Sequence, residues 1–311
     1  MATAAERKAY ARRLMAILQS LDSVERWVLQ ESIRLLRELR DSVAGQLAIT
    51  ELDQLRVAEQ QRVLDLIIAD YNIRLRSVTA AAVGQAFVLG ERAAVEPLQQ
   101  ANIPLPIFRA STAQVDVITR FSADLISKIS DDSRNRINRV IRLNALAGKS
   151  SLESMRDITQ ELFKTARPPS PTTRRPTKGV AYEAERILRT ETNRAFNLAA
   201  FGQQQALAQS IPDLQKMWVA TGDIRTRDSH LLAHGTIVFV NEPFQVGFSE
   251  LMFPHDPAGP PQEVINCRCR SITILPDVGR VRLPVDARVE REKASRDLEA
   301  VEMLWRNLSY V

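Results

Sequence analysis

The hydrophobic pattern of this chain changes period once, and that change limits the folds open to it. Ahead of Ile211–Pro212 apolar residues recur at helical spacing; beyond it, short β-branched runs take over. Leu14, Ile17, Leu18 and Leu21 form one helical stripe, and Trp27, Val28, Leu35, Leu36 and Leu39 continue it. Asp22 and Ser23 between them read as an N-cap region, and Gly45 as an end. A further stripe runs through Leu52, Leu55, Val63, Leu66 and Ile67. Such stripes serve either as partner-binding faces or as ordinary core, and core is the commoner use.

Prolines divide the helical part. Pro104 and Pro106 in NIPLPIF cannot donate to a helix, which places a boundary there. Helices resume from Ser111, with Val115, Ile118, Leu125 and Ile129 inward. Another follows Ser151, with Leu152, Met155, Ile158 and Leu162 on one face. Residues 166–179, ARPPSPTTRRPTKG, form the clearest loop, with Pro168, Pro169, Pro171 and Pro176 forbidding regular structure. Arg167, Arg174, Arg175 and Lys178 have no acid within that loop. They read as a solvated surface or as a basic arm touching DNA or an acidic partner.

A last long helix before the change carries Ile187, Leu188, Phe196 and Leu198. Then Lys216–Ala220, Thr236–Val240 and Ser271–Leu275 read as strands of a small sheet. The Pro- and Gly-rich span Glu242–Pro261 reads as loop, and Val289–Leu308 as a final helix. The fold class is therefore α+β and predominantly helical: an elongated N-terminal helical region, then a small C-terminal domain with a short β-sheet and loops. The expected divisions are 1–105, 106–165, the basic loop 166–180, an α+β domain 181–276 and a helical tail 277–311.

Composition excludes some classes. With two cysteines, a disulfide-built secreted domain is out. No run reaches the ~18 apolar residues of a membrane helix. The early charges have no apolar segment behind them, so the start does not read as a signal peptide. A net charge of +5 is compatible with DNA contact without establishing it.

All 3 histidines and both cysteines lie between His230 and Cys269. His230 and His234, four apart, would share one face of a helix. Cys267 and Cys269, two apart, would share one face of a strand. Two nitrogens and two sulfurs would suit a structural tetrahedral zinc. The other reading makes the cysteines small buried hydrophobes and the histidines polar surface groups. His255, in the Pro-rich span, is the weakest ligand candidate. Asp223 just upstream reads as a helix cap. Asp223 or His230 as a general base would instead make a metal-dependent nuclease or hydrolase, the alternative function. No nucleophile elbow or Walker loop accompanies them.

The order of motifs then carries a resemblance. RTETNRAFNLAAFG (Arg189–Gly202) is followed by KMWVATGDIRTRDSHLLAHG (Lys216–Gly235), FPHDP (Phe253–Pro257) and INCRCRSITIL (Ile265–Leu275). Over roughly Ser111–Leu275 this resembles the phage Mu F-like minor head proteins, the head morphogenesis family. The family pattern falls on Arg189, Glu191, Trp218, Asp223, Arg225, Thr226, Arg227, His230, Gly235, Asn266, Cys267, Arg268 and Cys269. His234 and His255 fall outside it. The resemblance implies a minor capsid protein of the virion, without catalytic residues; the structural zinc rests on the histidine and cysteine spacing. It implies a place inside the capsid near the portal after synthesis in the host cytoplasm. Its partners would be the portal protein, the major capsid protein and packaged double-stranded DNA or scaffold, with no membrane, through assembly, DNA packaging and genome ejection.

Overall fold

The structure, a computed structural model, describes residues 3–49, 57–99, 112–146, 151–163, 180–276 and 282–308. Five helices come first: α1 (Ala4–Ile49), α2 (Val57–Gln99), α3 (Thr112–Leu146), α4 (Ser151–Phe163) and α5 (Val180–Ala208). The remainder alternates short elements: β1 (Gln215–Val219), α6 (Asp228–Ala233), β2 (Ile237–Phe239), β3 (Phe244–Val246), β4 (Ser249–Leu251), α7 (Pro261–Val264), β5 (Arg270–Ile274) and α8 (Asp286–Leu308). The fold is thus the α+β, mainly helical one that the change of period predicts.

Helix α1 runs without interruption through Asp22, Ser23 and Gly45, which corrects the expected break and end. Its buried residues explain why. Tyr10, Leu14, Ile17, Leu21, Val24 and Val28 follow one another at three- and four-residue steps, so the stripe crosses Asp22–Ser23 without changing phase. Gly45 costs about 0.5–1 kcal/mol inside a helix, less than continuous burial returns.

The chain forms two compact units, each assembled from separated segments. One unit comprises 23–84 and 113–192. Its core holds Leu35, Leu36, Leu39, Leu64, Ile68, Ile137, Ile141, Ile158 and Leu162. Arg189 donates to Glu25 at 2.8 Å and to Glu185 at 2.7 Å there. The Pro104–Pro106 boundary and the basic loop with Arg167, Arg174, Arg175 and Lys178 lie outside the described residues.

The other unit comprises 1–22, 85–112 and 193–311. Its sheet is antiparallel, in the order β2-β1-β5, with Met217 opposite Ile237 on one side and Ile272 on the other. All three predicted strands are present, each within a residue or so of its expected bounds. The stretch read as loop contains a second feature, the β3–β4 hairpin, with Gly247 at φ +60° between the strands. Three-residue strands are too short to leave a period in the sequence, but Phe244 and Val246 point inward and Gln245 outward.

Strand β1 is buried on both faces. Trp218 has no exposed surface and packs its ring edge-on against Phe244 at 5.3 Å. Replacing a buried tryptophan by alanine costs about 3–5 kcal/mol. Lys216 is equally buried, and its ammonium donates to the Val240 carbonyl at 2.8 Å and the Met252 carbonyl at 2.7 Å, tying β1 to the chain before and after the hairpin. Its charge also faces the rings of Phe201 at 4.7 Å and Phe244 at 5.1 Å. Burial pushes this lysine down to about 8 against the pull of Asp256 and Glu242.

Helices close over β5. Tyr10 of α1 donates to the Thr273 carbonyl, and the Thr273 hydroxyl donates to the Ala94 carbonyl of α2 at 3.2 Å. Helices α2 and α5 meet at Gly90, where a Cβ would stand 2.1 Å from the Phe196 carbonyl oxygen and 2.9 Å from Ala199 Cβ. Only the missing side chain permits that approach. Gly90→Ala should therefore lower stability by about 1–3 kcal/mol, the cost of overpacking. Chemical denaturation measures it, and an unchanged midpoint would disprove the close approach.

Candidate metal centre

Helix α6 and the segment ahead of β5 carry the polar core of this unit. The α6 backbone starts at Arg227, which supplies no side-chain cap. Asp223, expected as a cap, instead accepts both Arg268 nitrogens, at 2.7 and 2.8 Å, and the Thr226 hydroxyl at 3.1 Å. A short acid in this turn is better satisfied by a guanidinium fork than by one helix N–H. Burial pushes the Asp223 carboxyl up, but Arg268, Thr226 and the Arg225 N–H more than offset this and hold it at about 2. Tied up in this way, Asp223 does not fit the general-base role of the hydrolase alternative. Arg227 donates to the Ile265 carbonyl, so the Asp-x-Arg-Thr-Arg motif holds the cysteine segment just ahead of Cys267 and again at Arg268 between the two cysteines.

His230 is 1% exposed and faces both thiols: Nδ1 lies 3.3 Å from Cys269 Sγ and 3.4 Å from Cys267 Sγ. The two cysteines precede β5 rather than lying on it, yet their sulfurs converge on one point. Among the described residues, His230, Cys267 and Cys269 bring donor atoms within 4.8 Å of one another, all buried. Metal–ligand lengths of about 2.05 and 2.3 Å at tetrahedral angles would set each N–S separation at about 3.6 Å. The observed spacing fits a zinc ion after a shift of a few tenths of an ångström.

The surroundings fit as well. His230 Nε2 lies 2.9 Å from Glu263 Oε2, and the same oxygen accepts the Ser229 hydroxyl at 3.0 Å. A carboxylate behind the imidazole fixes the tautomer that presents Nδ1 to a metal. Trp218 packs edge-on against the ring at 5.6 Å. Burial pushes the His230 imidazole down, yet Cys267 and Glu263 raise it above its ordinary range overall. Burial also disfavours both thiolates. Hydrogen bonding and charge from Cys269, His255 and His230 nonetheless hold Cys267 well below the thiol range, while Cys269 beside it is pushed well above.

The other two histidines do different work. His234 does not share the His230 site: its Nδ1 accepts the Ala220 N–H at 3.1 Å and its Nε2 faces Asp286 Oδ1 at 2.9 Å. It ends α6 as the C-cap residue, where the helical repeat no longer governs side-chain direction. The expected four-ligand set with His234 is therefore corrected to three. His255, with φ +70° and no exposed surface, faces the Cys267 carbonyl through Nε2 at 2.7 Å and Asn197 through Nδ1 at 3.1 Å. With both nitrogens engaged it is a brace for the cysteine segment, and burial pushes its pKa down. None of the histidines is a surface group. Asn197 extends the brace, donating to the Cys269 carbonyl at 3.1 Å and accepting the Ser271 N–H at 3.0 Å.

The remaining motif residues are mostly structural in position. Gly235 and Asn266 adopt positive φ, +82° and +61°, at the turns that bound α6 and the cysteine pair. Glu191 is buried in α5, while Arg225 stays exposed. Glu263, His255 as a brace and Lys216 are absent from the sequence reading. A Cys-x-Cys spacing predicts neither a carboxylate in a four-residue helix nor a lysine in an apolar strand.

The unit is thus a small sheet-and-helix domain organised round a buried histidine–dithiol cluster. Residues 135–272 match the family described as Phage Mu protein F like protein, the family that the motifs resemble. The chain is also similar to a Bacillus subtilis (strain 168) protein described as Uncharacterized protein YqbB, 33% identical over 92 residues. That stretch is 28% of this chain and spans only 30% of the relative's length. No solved structure matches. No helix among the described residues is long and apolar enough to cross a membrane.

The clasp around the cysteines has a pH signature. The folded Asp223 carboxyl titrates near 2, below its ordinary 3.8, so its stabilisation is present above about pH 4 and lost as pH falls toward 2. Asp223→Asn should cost about 1 kcal/mol at neutral pH, allowing for solvent screening. The gap in Tm from the parent should narrow as the pH falls below about 4. A gap that holds constant with pH would show that the carboxylate charge contributes nothing.

Proposed function

We propose that this chain is a minor capsid protein of a tailed phage. In this reading it joins the portal protein and the inner face of the major capsid shell during head assembly and stays with the genome through packaging and ejection. The observation that carries the proposal is the match of residues 135–272 to the Mu F-like family. The net charge of +5 and the basic segment Arg167, Arg174, Arg175 and Lys178 support contact with packaged DNA. Co-expression with the portal protein encoded in the same genome tests the reading. The expected result is co-sedimentation with portal rings or heads. Sedimentation as a free chain, with heads of normal yield and composition when it is omitted, would refute it.

The geometry further supports a structural zinc held by His230, Cys267 and Cys269, cross-linking α6 to the segment ahead of β5. Bound zinc would favour both thiolates and add its binding free energy to that of the fold. Elemental analysis of the purified chain should find about one zinc per molecule. Cys267→Ser and His230→Ala should each lose it, with Tm falling, while His234→Ala should retain it. Metal-free protein, with both ligand variants folding normally, would reduce the cluster to packing residues.

A further inference from the structure

Trp218 has no exposed surface, yet its indole Nε1–H makes no well-formed hydrogen bond among the described residues. A donor left unmet in the core carries the full cost of its lost hydration. The polar side chains of Asn197, His255 and Asp223 nearby are all answered, so an unmet donor at this place stands out.

Packing leaves the ring little freedom to seek another partner. Its edge meets His230 at 5.6 Å and Phe244 at 5.3 Å, and β1 pairs Trp218 with Ser271, two residues beyond Cys269. Asn197 holds both ends of that two-residue step, donating to the Cys269 carbonyl and accepting the Ser271 N–H. The indole and Cys269 are thereby fixed against one another.

The indole N–H acts on the Cys269 sulfur. Burial and Cys267 disfavour a thiolate there, while the charge of Arg270 and the Trp218 N–H, as a hydrogen-bond donor, favour it. A neutral thiol is a weak acceptor, and an ionised sulfur a much better one. The donor therefore suits a charged sulfur, which is the form that ligates a metal. Cys267 is served in the same way, its sulfur accepting the Cys269 backbone N–H at 3.3 Å. Each sulfur thus has one N–H beside it, from the backbone in one case and from Trp218 in the other.

We propose that Trp218 is a positioning residue of the metal centre, its indole N–H donating to the Cys269 thiolate when a metal is bound, a role that rests on the zinc reading above and extends it. Such a bond draws negative charge off the sulfur. Loss of an outer partner of this kind lowers metal affinity about 10–100-fold.

Titration of the full metal-free chain with Co(II), a visible stand-in for zinc, tests the role. The sulfur-to-cobalt charge-transfer band reports the electron density on sulfur. Trp218→Phe keeps an aromatic ring without the N–H. It should bind Co(II) about tenfold more weakly, with the band at longer wavelength because the sulfur electrons lie higher. Phe244→Leu loosens the packing on Trp218 but keeps the N–H, so it should lower Tm and leave the band at the parent position. Should Trp218→Phe not fold, exchange of the Trp218 indole for benzothiophene, the same shape with sulfur in place of the N–H, reads the same band. A band and affinity unchanged without the N–H, or an equal shift in Phe244→Leu, would overturn the role of Trp218 and leave zinc binding standing. Failure of the parent chain to bind either Co(II) or zinc would overturn both.

Discussion

Strand β1 is hydrogen-bonded on both edges and buried on both faces, and the C-terminal unit is arranged around it. Its pairing with β5 sets Trp218 opposite Ser271 and Val219 opposite Arg270. That register carries the Cys267–Cys269 segment past the end of the sheet to a place beside α6. Trp218 then packs on His230 and Phe244 together, so a single side chain joins the sheet, the hairpin and the histidine. A slip of one residue would turn Trp218 to the opposite face and move the thiols away from the imidazole.

A second constraint follows from burying so many polar groups in a small unit. Each must find a partner or carry a desolvation cost. His255, Asn197 and Arg227 answer the carbonyls around the cysteines, and Lys216 answers two carbonyls flanking the hairpin. The cysteine segment is thereby held from several directions before any metal is considered. Such pre-organisation would favour a metal bound there, because little ordering would remain to oppose binding.

Much of the architecture was legible before any coordinates. The stripe Leu14–Leu39 predicted α1, and the β-branched runs predicted β1, β2 and β5, because burial at period 3.6 or 2 leaves a direct trace in the residue order. The concentration of histidine and cysteine between His230 and Cys269 singled out one stretch, and His230, Cys267 and Cys269 come together there. The errors share one physical origin. Capping and turn signals such as Asp22–Ser23, Gly45 and Asp223 are weak local preferences of about 1 kcal/mol, and packing overrules them. His234 was grouped with His230 by helical spacing, but the helix ends at Ala233 and Asp286 draws the ring elsewhere.

Residue order by itself determined the helical and strand segments, the family motifs and the identity of the chemically capable side chains, since each depends on neighbours a few positions away. Tertiary structure alone decided which of the three histidines faces sulfur, that Glu263 stands behind it, and that Asp223 answers Arg268 from 45 residues away. It also decided that Asp22 of α1 meets Arg270 of β5 across 248 residues. Such pairings depend on how strands register and helices close over them. No local period records them, because chain separation does not enter the energy of a contact once it has formed.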